Sequence, residues 1–384
     1  MKRYLFVVPP LTGHVNPTVS LGQSLKVRGH TVAWVGHAGA VRKLLPPDAQ
    51  LFALDEAPIE EHYASVRSRA EAARGLAAFK QLWEDFFVPL ARWMRPGVEA
   101  AVDEFKPDLL IVDQQALAGS LVARRRNLPW ITTATTSARL ADSLADLPKV
   151  KAWVEAQWVG LEREADLEPR PEPDLSPMRV IVFSSEALAG PGRFPPQTRF
   201  VGPALEGRAD ATPFPFDALA SGTHLLVSLG TVNAERGALF YRVLREALAE
   251  EPLQAIVVAS PELLEPAPKN FLVRQRIPQL AVLPHVQAVL CHGGHNTVCE
   301  SLAHGLPLVV MPIRDDQPVI AEQVVHAGVG LRLRFGRTRP DELRDAVRRV
   351  LKEPAFREAA AGIQKSFKDA GGTRAATDIV EAVS

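Results

Sequence analysis

The feature that most constrains this chain is a set of short, nearly continuous apolar runs, each followed by a loop and a stretch with helical spacing. "YLFVV" (4–8), "TVAWVG" (31–36), "PDLLIVD" (107–113) and "PWITT" (129–133) are of this kind. A strand with one wet face alternates apolar and polar residues, whereas a strand apolar throughout is covered on both faces. Such strands alternating with helices predict a parallel sheet between two helix layers. The pattern returns at "HLLVSLGT" (224–231), "QAIVVA" (254–259), "AVLCHGG" (288–294) and "PLVVMP" (307–312), with a helix over 239–250. The first helix is predicted within "TVSLGQSLKVRGH", ending at Gly29, after a loop "PPLTGHVNPT", and another near 116–126.

A chain of 384 residues is long for one core, and two domains of roughly 150–200 residues are the natural expectation. The Pro- and Gly-rich stretch 190–219 has little periodicity and reads as a linker. The expected division is a first domain over 1–205, a linker over 206–222, a second domain over 223–365, and a last helix within 366–384. With 44 basic and 44 acidic residues the formal net charge is zero, so nothing points to nucleic acid or an anionic membrane. Cys291 and Cys299 are the only cysteines. That excludes a disulfide framework and suits a reducing cytoplasm. No run approaches the roughly 20 apolar residues of a membrane span, and "MKRYLFVVPPL" reads as a first strand rather than a signal peptide.

All six tryptophans precede the linker. "FKQLWEDFFVPLARWM" (79–94) and "AWVEAQW" (152–158) are aromatic-rich. Core packing is the default for such rings; the alternative is the wall of an apolar ligand pocket, for which Trp83, Phe86, Phe87, Trp153 and Trp158 are the candidates.

"CHGGHNTVCESLAHGLPLVVMP" (291–312) sets two histidines, two glycines, an asparagine and a threonine at a predicted strand-to-helix junction. A metal site would need ligands beyond His292 and His295, and no complementary Cys/His cluster exists in the sequence. An ordinary capped turn accounts for Gly and Asn alone. A phosphate cradle accounts for more. Helix N-termini at the carboxyl ends of parallel strands present unpaired N–H groups and a favourable dipole. Gly293 and Gly294 allow close backbone approach, Asn296 and Thr297 add donors, and His292 can donate to a phosphate oxygen. Glu300, one turn on, is placed to accept from ribose hydroxyls.

Residues 278–324, "PQLAVLPHVQAVLCHGGHNTVCESLAHGLPLVVMPIRDDQPVIAEQV", resemble the donor-binding signature of the UDP-glycosyltransferase superfamily, in the style of bacterial natural-product and macrolide-type enzymes. The resemblance implies the α/β GT-B fold: two Rossmann-like, doubly wound parallel-sheet domains facing across a cleft. It further implies that His292, Gly294, Asn296 and Thr297 meet the donor diphosphate, with Thr231 of "SLGT" approaching it from another loop. Arg276, Ile277, Gln279 and Glu300 fall where the family holds nucleoside and ribose, and Asp316 and Gln317 of "DDQP" where it holds the sugar. The family often has Trp where this chain has Arg276, so uridine and thymidine both stay open as the base.

His14 follows the first predicted strand, and Asp113 ends another. Imidazole titrates near neutrality, as a general base for a hydroxyl requires, and a carboxylate behind it orients the ring and stabilises the imidazolium. The family has a His–Asp dyad at matching positions. The chain has no Asp-x-Asp sequence to hold a divalent cation on a diphosphate, so a metal-independent, inverting transfer without a cofactor is expected. The substrates would be a UDP- or dTDP-sugar and a hydroxyl of an apolar small molecule, handled by a cytoplasmic monomer or homodimer. The alternatives are a nucleotide-sugar epimerase of the same fold and a catalytically silent nucleotide-sugar-binding partner protein. His30, His37, His62, His285, His304 and His326 have no comparable context.

Overall fold

The computed structural model describes residues 1–384 except 56, 58, 60, 63–74, 139, 141–143, 145, 146, 193, 209, 211 and 231–233. The chain forms two compact units, one made of residues 1–185, 192–208 and 370–384, the other of residues 186–191 and 209–369.

The first unit is built on seven parallel strands: β1 (Arg3–Val7), β2 (Thr31–Gly36), β3 (Gln50–Ala53), β4 (Leu109–Asp113), β5 (Trp130–Ala134), β6 (Val180–Val182) and β7 (Thr198–Phe200). Their spatial order is β3-β2-β1-β4-β5-β6-β7. Successive side chains of β1 point to opposite faces and both faces are buried. Tyr4 and Phe6 join Trp34, Leu109 and Ile111 in one core. Leu5 and Val7 join Leu110, Val112, Leu90 and Met94 in the other. This two-sided burial is why the strands are apolar throughout. Helices α1 (Thr12–Val27), α2 (Val88–Phe105), α3 (Leu117–Arg125) and α4 (Pro148–Glu164) belong to this unit.

The second unit has six parallel strands: β8 (His224–Ser228), β9 (Gln254–Val258), β10 (Phe271–Arg274), β11 (Ala288–Cys291), β12 (Leu308–Val310) and β13 (Gly330–Arg332). They are ordered β10-β9-β8-β11-β12-β13. Helices α5 (Ala234–Leu248), α6 (His295–Ala303), α7 (Gln317–His326), α8 (Pro340–Lys352) and α9 (Pro354–Ala370) cover it. A last helix, α10 (Gly372–Val383), belongs to the first unit, where Ala376 and Val380 enter the core beside Tyr4. Arg28 pairs there with Asp378 and Glu381, and His30 with Glu381.

Each sheet has one switch point, where the chain leaves a strand in one direction and later returns to its other side. In the first sheet it lies between β1 and β4, in the second between β8 and β11. Loops diverge at the carboxyl ends of those strands and leave a crevice there. Among the described residues, no helix is long and apolar enough to cross a membrane.

Several expectations need correction. The helix after β1 starts at Thr12, not Thr18, and takes in Gly13, His14 and Pro17. Pro17, the sixth residue, lies inside the helix, where the burial of Val15, Val19 and Leu21 outweighs the ladder bond it forfeits. The stretch read as linker contains β7, an edge strand of three residues, and residues up to 208 stay with the first unit while 186–191 join the second. Three of the five aromatic pocket candidates are core. Trp83, Phe87 and Trp158 are buried on one another, with Trp83–Phe87 and Trp83–Trp158 in edge contact at 5.4 and 6.4 Å. Phe86 and Trp153 pack against that cluster and are only partly buried.

Candidate active site

In the first unit, His14 occupies the first turn of α1, directly after β1, and Asp113 is the last residue of β4. They flank the switch point. His14 Nδ1 lies 3.0 Å from both carboxylate oxygens of Asp113, and Thr135 Oγ1 stands 3.4 Å from the same nitrogen. Asp113 is only 1% exposed, against 14% for His14. A carboxylate so far from water needs hydrogen bonds, and Oδ1 also accepts from the Gln115 backbone N–H at 2.8 Å. With Nδ1–H donating to the carboxylate, the lone pair resides on Nε2, which makes Nε2 the basic nitrogen.

In the second unit, the loop after β11 runs through His292, Gly293 and Gly294 into α6, with Gly294 as the N-cap residue. Gly293 has φ +83°, a left-handed backbone that side chains resist. The His292 ring is held between glycines. A Cβ on Gly294 would stand 2.6 Å from Nε2, and one on Gly230, which follows β8, 2.9 Å from Cε1. Burial lowers the His292 pKa, a backbone hydrogen bond at Ser228 opposes this, and the charge of Arg314 lowers it further. The imidazole is therefore neutral near pH 7. Asn296 and Thr297 sit partly buried in the first turn of α6, whose N-cap residue, Gly294, has no side chain to cap it. Those backbone N–H groups are what an anion would meet. Thr231 lies outside the described residues.

Glu300, 3% exposed on α6, accepts from Gln279 Nε2 at 2.5 Å. The pair joins the loop after β10 to the cradle helix. Arg276 is exposed on that loop. The Ile277 side chain is buried in the hydrophobic core and has no polar atom, so its backbone is the part able to meet a ligand. Asp316 occupies the N-cap position of α7 without a side-chain capping bond, and Gln317 begins the helix. Gln317 Oε1 accepts from the backbone N–H groups of Ile313 and Arg314 at 2.9 and 3.1 Å. Its carbonyl oxygen thus shapes the loop, leaving the amide NH2 as the group able to donate to a sugar hydroxyl.

This arrangement sets a carboxylate-backed imidazole at one switch point and a glycine-lined helix N-terminus at the other. Residues 246–381 match the model of the erythromycin biosynthesis protein CIII-like C-terminal domain. The chain is 30% identical to 4'-demethylrebeccamycin synthase of Lentzea aerocolonigenes, over 99% of both proteins. The chain belongs to the UDP-glycosyltransferase superfamily. A second member, demethyllactenocin mycarosyltransferase of Streptomyces fradiae, is 26% identical over 99% of this chain and 86% of its own. The solved structure of CalG4, the calicheamicin glycosyltransferase, superposes with a TM-score of 0.77 at 26% identity, covering 100% of this chain and 98% of that one. This UDP-glycosyltransferase therefore has the GT-B fold and is a bacterial natural-product type glycosyltransferase of EC class 2.4, acting on a nucleotide sugar.

Three residues at these sites escaped the sequence reading. Gly230 was within reach, because it sits in the quoted "SLGT". Thr135 lies in the polar run "TTATTS", where nothing marks one threonine above its neighbours. Arg314 precedes the "DDQP" motif and reads there as an ordinary surface charge.

Proposed function

We propose that the chain transfers a sugar with inversion from a UDP- or dTDP-sugar to a hydroxyl of an apolar small molecule, without a metal ion. His14 Nε2 takes the acceptor proton, and Asp113 stabilises the imidazolium that forms. The acceptor oxygen attacks the anomeric carbon as the bond to the diphosphate oxygen breaks. The electron pair of that bond stays on the diphosphate, which the N-terminus of α6 and His292 stabilise with preorganised donors. Gln279 and Glu300 hold the nucleoside and ribose, and Asp316 and the Gln317 amide the sugar. Phe86 and Trp153 are the aromatic residues proposed for the acceptor.

The observation that carries this reading is the two-oxygen contact of Asp113 with one nitrogen of His14. A surface histidine needs no buried carboxylate behind it; a general base does. The experiment is His14→Ala, assayed with a panel of hydroxylated aglycones and both donors, with and without a chelator. Donor binding by calorimetry should survive while transfer is lost, the wild type should ignore the chelator, and an α-linked donor should yield a β-linked product. Undiminished transfer by His14→Ala would overturn the assignment.

A further inference from the structure

The loop 313–316 carries a cation to the cradle. Gly293 lies against Gln317: a Cβ on that glycine would stand 3.4 Å from the Gln317 carbonyl oxygen and 3.8 Å from its Cβ. Gln317 in turn binds the Arg314 backbone N–H through Oε1. The Arg314 backbone is thus held two short steps from the His292–Gly293–Gly294 turn. Its charge reaches that turn, since it disfavours protonation of the His292 ring. Asp315 next to it has φ +57°, a backbone conformation rare for a residue with a side chain. Held strain of this kind is a mark of loops shaped for a task.

Among the described residues, Arg314 pairs with the carboxylate of Asp315, with Nε to Oδ2 at 3.4 Å, and both side chains are about half exposed, at 50% and 49%. An exposed pair of neighbours contributes little and is readily exchanged for a more highly charged partner. A planar guanidinium matches phosphate oxygens bidentately.

We infer that Arg314 leaves Asp315 when the donor binds and clamps the terminal phosphate of the nucleoside diphosphate. This rests on the reading of the 292–297 turn as the diphosphate site. In that position Arg314 supplies a permanent positive charge where the leaving group gains negative charge, a task that backbone N–H groups meet only with partial charges.

The test is titration calorimetry with UDP and dTDP, and with UMP and dTMP, on the wild type, Arg314→Gln and Arg314→Lys, with circular dichroism as the folding control. Arg314→Gln should weaken both diphosphates about tenfold, the worth of one charge-assisted contact at a partly wet site. It should leave the monophosphates within about twofold, and Arg314→Lys should restore much of the loss. Asp315→Asn, which frees the guanidinium, should tighten the diphosphates. Equal losses for mono- and diphosphates, or no loss in Arg314→Gln, would overturn the inference while the donor site stands. If the wild type bound no nucleoside diphosphate at all, the donor reading would fall and this one with it.

Discussion

His14 Nδ1 is equidistant, at 3.0 Å, from the two carboxylate oxygens of Asp113. The two residues are separated by 99 positions and meet because β1 and β4 are neighbours in the sheet although β2 and β3 intervene in sequence. The pairing of Val7 with Val112 brings the ends of those strands level, so the residue closing β4 faces the first turn of the helix after β1. In this way the order of the strands creates the dyad.

Replacing Asp113 with Asn keeps the shape and removes the charge. An amide can still accept from Nδ1–H, but it can present its NH2 instead and stabilises an imidazolium poorly. Turnover is expected to fall roughly 10²–10⁴-fold, as in other dyads of this logic, with donor affinity unchanged. Steady-state kinetics beside donor calorimetry decide it. A fall in affinity that matches the fall in turnover would assign Asp113 to donor binding.

Two adjacent glycines should respond differently to the same methyl group. At Gly294 the backbone, φ −63° and ψ 131°, suits alanine, but the added Cβ would meet His292 Nε2 at 2.6 Å. Gly294→Ala should therefore displace the imidazole, weaken nucleoside diphosphate binding by tenfold or more, and leave the melting temperature nearly unchanged. At Gly293, φ +83° penalises alanine by about 1–2 kcal/mol, so that variant should lose stability. Thermal melts paired with calorimetry separate the two, and identical behaviour would refute the account of the turn.

The fold was legible because burial on both faces leaves a mark in composition that needs no partner information. β1, β2, β4, β5, β8, β9, β11 and β12 all fall on quoted apolar runs. β7 and β13, Thr198–Phe200 and Gly330–Arg332, each carry an arginine within three residues, which breaks the apolar signature that the equally short β12 keeps. The aromatic helix before α2 misled for another reason. Residues Leu82–Phe87 wind as a π-helix, whose wider turn takes the following side chains out of the 3.6-residue register, so the spacing does not tell which rings along 79–94 face the core. The candidate site was half legible. A Gly-rich strand-to-helix junction advertises anion binding by its backbone, but a side chain such as Thr135 acquires its position only from the sheet order.

The His292 pKa is lowered by burial and then by Arg314, against the Ser228 backbone hydrogen bond. Its ordinary value is near 6.5. A histidine whose folded pKa lies below its unfolded one holds fewer protons when folded. Its contribution to stability is present above the unfolded value and is lost as pH falls below it. A bound diphosphate reverses the balance, because an adjacent anion favours imidazolium. Diphosphate binding should therefore take up protons as pH falls toward the ordinary imidazole value of 6.5. Calorimetry in buffers of different ionisation enthalpy reads the uptake, and His292→Gln should remove the part beyond that of the ligand's own phosphate. Equal uptake in both proteins would place His292 away from the ligand.

A last prediction concerns an ion pair remote from the donor cradle. Glu162 on α4 is fully buried and pairs with Arg124 of α3, itself 12% exposed, while also accepting from the Arg170 backbone N–H at 3.2 Å. Charges this far from water are tolerable only in company, so among the described residues Glu162→Ala leaves the Arg124 guanidinium with its contact to Glu168 O. Loss of one member of a buried pair costs about 3–5 kcal/mol, and the surviving contact argues for the lower end. The loop that begins at Arg170 also carries Asp174, whose carboxylate accepts from Gln114 Nε2 at 3.0 Å, one residue beyond Asp113. Loosening that loop should disturb the dyad, so turnover of Glu162→Ala should fall at a temperature where the protein is still folded. Donor affinity should hold, because none of these residues belongs to the second unit. Glu162→Gln, which retains an acceptor, should show a smaller version of both effects. A change in unfolding midpoint worth less than about 1 kcal/mol in Glu162→Ala would mean that the pair is dispensable to the first unit.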